Sequence, residues 1–538
     1  MKKKRGWAIG AGWFASQLCG GLLMAAGVPH APAAWGDQGD GTFRNPVLPA
    51  DYSDVDAIRV GADYFAISST MQFSPGMVVL QSQDLVNWRI AGHVVDDVSR
   101  LSPEMNWDRM NRYGRGVWAG AIRHHAGKFW VYFGTPDEGY FMSTATNAAG
   151  PWSPLTQVMK AAGWDDCCPF WDDDGQGYLI GSCFKEHYKI HLFKLTADGK
   201  QLVEGFDHVL HQGQGREANK LYKWNGLYYH FFSEVNREGR VTMMGRARNI
   251  TGPYEYRQLN HVNPRVDREP NQGGLVQTEK GDWWFVTHQG TGAYEGRALC
   301  LLPVTWRDGW PIIGEVGADG LGNMVWQAQK PIAGLPVLLP QMSDGFASRT
   351  LGAQWEWNHQ PRADKWSLVE RPGWLRLYAF QPLQRGNLLK AGNTLTQRLM
   401  GTGGGEVTVL LDVSRMADGQ RAGLCHFGKH YGWIGVTQTG GVRRITYSAN
   451  GRETCGVVVD AAEVWLRSLI SADGTCTWAL SFDGRSFTPF GERYTLEWAF
   501  YRGDRIGLFS FNNDADTGQA DFAGFRYDIN RAKGMPTK

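Results

Sequence analysis

Gly127-Lys128-Phe129-Trp130-Val131-Tyr132-Phe133 is a turn glycine followed by a run of aromatic and β-branched residues, a pattern that occurs five times. The other copies are Gly61-Ala62-Asp63-Tyr64-Phe65-Ala66-Ile67, Gly175-Gln176-Gly177-Tyr178-Leu179-Ile180, Gly226-Leu227-Tyr228-Tyr229-His230-Phe231-Phe232 and Gly281-Asp282-Trp283-Trp284-Phe285-Val286. Successive glycines lie 66, 48, 51 and 55 residues apart. Three units carry a second turn that ends in an aromatic: Asp84 to Trp88, Gly150-Pro151-Trp152 and Gly252-Pro253-Tyr254. Repeats of about 50 residues made of short strands and turns indicate propeller blades, each a small sheet that buries its faces only against its neighbours. Five copies predict an all-β chain that begins as a five-bladed β-propeller. A β-sandwich of similar size would not need the same hairpin five times.

The repeat also locates a pocket. If each glycine turns the chain from the first to the second strand of a blade, the residues just before it line the axis. Nine positions before Gly127, Gly175, Gly226 and Gly281 stand Trp118, Asp166, Glu217 and Gln272, and seven before Gly61 stands Asp54. Two aspartates, a glutamate, a tryptophan and a glutamine therefore converge on one funnel. Asp165 leaves a one-residue ambiguity, in which strand alternation favours Asp166.

Clustered carboxylates repel unless protons, cations or donors offset the charge. One chemistry for such a cluster is hydrolysis, with one carboxylate activating water and another protonating the leaving oxygen. The competing one is calcium binding, which predicts dense Asp-rich loops. Asp172-Asp173-Asp174-Gly175 looks like one, but it falls on the repeated hairpin, where Asp and Gly are ordinary turn residues. Catalysis is the preferred reading and requires no cofactor, with room left for a structural Ca²⁺ on the propeller axis.

Length and composition agree with this picture. A chain of 538 residues exceeds one ordinary core, and 69 Gly with 13% aromatics suit many tight turns between strands. The 24 Trp suit sugar stacking as well as core filling. Met1-Lys2-Lys3-Lys4-Arg5, a largely apolar stretch from Trp7 to Val28 and Ala31-Pro32-Ala33 read as a cleaved secretory signal over 1–33. The protein is accordingly expected to be exported, periplasmic or extracellular, with no membrane attachment after cleavage. A membrane anchor competes poorly, because Ser16, Gln17 and several glycines interrupt the stretch. Its loss removes four basic and no acidic residues, taking the net charge from +2 to −2. A nearly neutral chain without basic blocks argues against nucleic acid as partner. Seven cysteines remain, so at least one is unpaired in an oxidising compartment, and none has zinc spacing. Cys167-Cys168 reads as two buried thiols rather than a strained vicinal bridge.

Residues 316–342, with Pro331, Pro336 and Pro340, read as a linker closing a propeller domain of 34–315. Alternating segments follow over 343–538, among them Glu406 to Leu411, Trp465 to Ile470 and Ile506 to Phe511. They predict an antiparallel β-sandwich.

The motifs carry a resemblance. Asn45-Pro46-Val47 through Ser53-Asp54, Ser68 to Met77, Gly116-Val117-Trp118-Ala119, Cys168 to Gly175, Glu217 to Lys223, Gln272 to Val276 and Pro303 to Trp306 resemble, in order and spacing, glycoside hydrolase family 43. The resemblance implies an inverting mechanism with Asp54 as general base, Glu217 as general acid and Asp166 orienting the acid and tuning its pKa. It implies that Arg297 binds sugar and sets carboxylate charge, a structural salt bridge being the alternative. Phe73 and Trp118 become pocket walls or else blade packing, and Gln272 joins them at the sugar. His288, expected on the inner strand of blade 5, would contact sugar or an axial ion, or be a satisfied buried histidine. The family pattern is broken at Val55, Gly120, Cys167 and Ala218, where proline or, at the last position, glycine is usual.

The sandwich resembles the jelly-roll, concanavalin-like domain of family 43 β-xylosidases, where it packs on the propeller and can lend a pocket loop. A free-standing carbohydrate-binding module is the competing idea. The implied substrate is a xylo- or arabino-oligosaccharide or polysaccharide. β-Xylosidase comes first and α-L-arabinofuranosidase second, with a non-catalytic sugar-binding propeller as the non-enzymatic alternative. Oligomeric state is not written in the sequence.

Overall fold

A computed structural model describes residues 35–213, 215–262 and 270–529. The expected signal segment lies outside them. The described residues form strands and five short 3-10 turns, with no α-helix among them. Five antiparallel four-stranded units follow in chain order. They begin on Asp56–Val60, Gly120–His125, Trp164–Trp171, Glu217–Trp224 and Gly273–Gln277, the innermost strands of blades 1 to 5. All five repeated glycines turn the chain from the first to the second strand of a blade, each with positive φ. Leu48–Asp51, just ahead of Asp54, pairs with Ala298–Arg307 of blade 5 and closes the ring against blade 1.

Strand alternation makes the layers between blades. Phe65 and Ile67 face blade 2, against Ile122, Val131 and Phe133, whereas Tyr64 and Ala66 face the blade 5 side with Val276 and Val286. The same rule explains the paired cysteines. Cys167 packs with Tyr132 and Tyr140 of blade 2, and Cys168 with Leu221 and Phe232 of blade 4, so successive thiols point to opposite faces. Both are free. The Asp172–Gly175 stretch is a hairpin whose Asp172 takes Lys223 at 2.6 Å.

Residues 316–342 run back along the propeller. Gln327–Gln329 pairs with Thr42–Arg44, and Lys330 bridges Asp37 and Asp84. The C-terminal region is a sandwich of two antiparallel sheets, with strands at all the alternating segments named above. One sheet runs from Arg452–Val458 through Arg505–Asn512 to Glu356–Asn358, and its last neighbour is Phe73–Ser74 of the propeller. The sheet thus continues from one domain into the other.

That continuity corrects one expectation. Phe73 is fully buried, with the guanidinium carbons of Arg502 and Arg505 lying 4.6 and 4.2 Å from its ring centroid. It belongs to the domain junction, not to a pocket wall. Beneath it Glu356, also fully buried, pairs with Arg398 at 2.7 Å and Arg505 at 2.9 Å. A carboxylate between two buried guanidiniums holds the interface in one geometry.

Candidate active site

The three carboxylates reach the axis by local departures from regular strand. Asp54 and Asp166 have φ of 57° and 49°, and Ala218, beside Glu217, has 66°. Pairing in blades 3 and 4 slips between Asp165 and Cys168 and between Glu217 and Lys220. Bulges of this kind re-aim a side chain out of the ladder. A left-handed non-glycine residue costs of order 1–3 kcal/mol, and such strain tends to cluster at functional sites. Ala218 takes this backbone without glycine's freedom, which gives its departure from the family pattern a physical meaning.

Arg297 grips Asp54 with both nitrogens, Nη1 to Oδ1 at 2.6 Å and Nη2 to Oδ2 at 3.1 Å. Gly296 lets it approach: a Cβ there would meet Asp51 at 2.4 Å, and the Arg297 N–H donates to Asp51 Oδ1 at 3.0 Å. Burial by itself would raise the Asp54 pKa, but the guanidinium overrides it and holds the carboxyl below its usual value. Asp54 is therefore a carboxylate at neutral pH.

Glu217 is shifted in the opposite direction. Burial first, and then the negative charges of Asp166 and Asp54, raise it to about 7, against the opposing pull of Arg240 at 3.0 Å. Its side chain keeps 30% exposure, open to the funnel. Asp166 is deeply buried. Its Oδ2 accepts the Ala218 N–H at 2.6 Å and its Oδ1 accepts from Gln272 Nε2 at 3.0 Å. Burial raises the Asp166 pKa, with Lys220 opposing. The neighbouring Asp165 carboxyl turns back to take the Asp166 N–H at 2.8 Å.

Two further expectations change. His288 sits on Trp283–Gln289, the second strand of blade 5, not the inner one. It is fully buried, and its Nδ1 accepts the Asp54 N–H at 3.1 Å, so it supports the base from behind. Burial and Arg297 depress its pKa to about 3, leaving a neutral ring. Gln272, expected at the sugar, is buried and donates its amide to Asp166. Trp118 does remain partly exposed, its indole N–H donating to Gly114 O at 3.0 Å.

The sandwich completes the rim. The Tyr501 carbonyl accepts from Arg297 Nη2 at 3.1 Å, and the Tyr501 ring meets Trp118 edge-on at 5.8 Å. Phe184 also lies beside Trp118, with centroids 6.2 Å apart. Tyr501 is 60% exposed, an aromatic face at the mouth. Arg240, Tyr501 and Phe184 were not found by sequence reasoning, because they lie on a third strand, a distant domain and a 3-10 turn, outside the repeat position. Among the described residues no group of three His, Cys, Asp or Glu side chains converges as a metal site.

An ionised carboxylate and a carboxyl whose pKa is raised toward neutrality, on non-adjacent blades around a funnel, are the pair that acid–base hydrolysis of a glycosidic bond requires. The comparisons with known proteins agree. The family model for glycosyl hydrolases family 43 matches residues 43–311, and that for the beta xylosidase C-terminal concanavalin A-like domain matches 343–528. A beta-xylosidase of Formosa agariphila is 36% identical, covering 93% of this chain and 92% of its own. A non-reducing end alpha-L-arabinofuranosidase of Bacteroides ovatus is 32% identical over 62% of this chain and 65% of its own. Among solved structures, a bifunctional family 43 chain of Bacteroides eggerthii superposes with TM-score 0.80 at 31% identity. That alignment covers 91% of this chain and 64% of the other. A family 43 protein of Bacillus licheniformis gives 0.79 at 26% identity, covering 91% of this chain and all of the other. The chain belongs to glycosyl hydrolase family 43 and is an inverting glycoside hydrolase.

Proposed function

We propose that this enzyme removes single pentoses, β-D-xylose first, from the non-reducing ends of plant cell-wall xylo-oligosaccharides or polysaccharides. The observation that carries the reading is the opposed pKa shifts of Asp54 and Glu217, together with the sandwich loop at Tyr501 standing at the funnel mouth. A pocket walled on one side favours a chain end over a mid-chain bond. The name of the Formosa agariphila relative supports xylose. The Bacteroides ovatus relative supports α-L-arabinofuranose as the second choice.

In the reaction Asp54 takes a proton from water as the oxygen attacks the anomeric carbon, while Glu217 gives its proton to the departing glycosidic oxygen. The two carboxyls of an inverting enzyme stand roughly 6.5–9.5 Å apart to admit that water. Two carboxyls and one water suffice, so the chemistry calls on no cofactor. Export through the N-terminal segment would place the enzyme where polysaccharide is met. A panel of aryl glycosides tests the reading, with β-D-xyloside expected to turn over fastest. Glu217→Gln should abolish turnover of substrates with poor leaving groups while leaving sugar binding intact. Binding without hydrolysis by the unmodified protein would favour a sugar-binding propeller.

A further inference from the structure

Each of the three site carboxylates needs a countercharge, and two have an obvious one. Asp54 has Arg297 and Glu217 has Arg240. Asp166 is hydrogen-bonded only by neutral donors among the described residues, the Ala218 N–H and the Gln272 amide. A cation stands nearby all the same. Lys220 follows Glu217 by three residues on the inner strand of blade 4, is fully buried, and donates to no acceptor among the described residues. A buried ammonium without an anion is costly. The groups of blade 3 within its electrostatic reach are Asp166, Cys167 and Cys168. Of these the carboxylate is the natural anion near neutral pH, because burial raises both thiols.

We propose that Lys220 is a positioning residue for hydrolysis, the countercharge that keeps Asp166 an anion and thereby keeps the proton on Glu217. It acts through space, without a hydrogen bond, so both Asp166 oxygens stay on the Ala218 and Gln272 donors that aim them. Three further carboxyls bear on Asp166: Asp165 beside it, Asp54 from blade 1 and Glu217 from blade 4. Arg297 and Arg240 are occupied by the last two, which leaves Lys220 to offset the excess. The neutral His288 adds no charge.

The inference rests on the glycosidase reading, and its test separates the two. In Lys220→Met, Asp166 should hold its proton to higher pH. The acidic limb of the kcat/KM profile should move up by about one pH unit, while the basic limb, where Asp166 is already ionised, stays in place. In the Asp166→Asn background the same change should move neither limb. Thermal unfolding gives an independent reading: Asp166→Asn strands the ammonium and should lower Tm, and adding Lys220→Met should restore part of the loss. An unmoved acidic limb in a folded Lys220→Met enzyme, or a double variant less stable than Asp166→Asn, overturns the proposal while leaving hydrolysis standing. Absence of turnover by the unmodified enzyme would instead count against the glycosidase reading, and the stability comparison would still decide on Lys220.

Discussion

Arg240 stands 3.0 Å from Glu217, yet Glu217 titrates near 7. A guanidinium at that distance pulls a carboxyl down, so burial and the two aspartates together outweigh it. Arg240 is meanwhile fixed by Gly215 O at 2.6 Å and Ser233 Oγ at 3.1 Å, so its charge is held at constant distance from the acid. The pair sets the acid's working range instead of neutralising it.

Replacing Arg240 by Met removes the larger of the two effects, its own and that of Arg297, that lower the Glu217 pKa. The basic limb of the kcat/KM profile, set by loss of the acid's proton, should then move above about 7. A pH series with an aryl xyloside reads it. A limb that moves down would mean that another group is the acid.

Arg297 acts in the other direction, on the base. In Arg297→Met the Asp54 carboxyl loses the charge that depresses its pKa, so the acidic limb should move up. Loss of a positioned charge at the reacting centre should also lower kcat/KM by about 100-fold or more. Steady-state kinetics across the acidic range checks both effects.

The junction makes a stability prediction. Glu356→Gln leaves Arg398 and Arg505 buried without their anion and should destabilise the protein by about 3–5 kcal/mol. Burial by itself would raise the Glu356 pKa, but the two arginines drive it far below 4.5. A depressed carboxyl contributes stability that is fully present above its unfolded pKa and lost as pH falls toward the folded one. Denaturant titrations below pH 4.5 should therefore show an acid-dependent loss in the unmodified protein that is smaller in Glu356→Gln.

Tyr501 offers a side chain and a backbone carbonyl for different purposes. Tyr501→Ala keeps the carbonyl on Arg297 but removes the ring beside Trp118. The expected result is a KM for xylobiose raised by up to about tenfold, with kcat and Tm little changed, since a ring contact is worth roughly 0.5–1.5 kcal/mol. A fall in kcat with KM unchanged would place Tyr501 in the chemistry rather than at the rim.

Much of this site was legible in the sequence because a propeller repeats its geometry. Once the glycines marked the first hairpin of each blade, an offset of nine residues reached Asp166 and Glu217 and one of seven reached Asp54. The offset says nothing of later strands, so Arg240 on Gly239–Ala247 stayed hidden and His288 was assigned one strand too far in. Phe73 was misplaced because its surroundings are supplied by Arg502 and Arg505, more than 400 residues away in sequence. Tyr501 escaped for the same reason. No local pattern marks a turn in one domain that closes on a pocket in another.

The most direct test of the central claim is the configuration of the first sugar released, followed by proton NMR on the aryl glycoside that is turned over fastest. Asp54 as base and Glu217 as acid require water to attack the face opposite the leaving group, so an aryl β-D-xyloside should first yield α-xylose, which then mutarotates. β-Xylose as the first product would contradict the account, because it requires a carboxylate that bonds to the sugar instead of one that activates water.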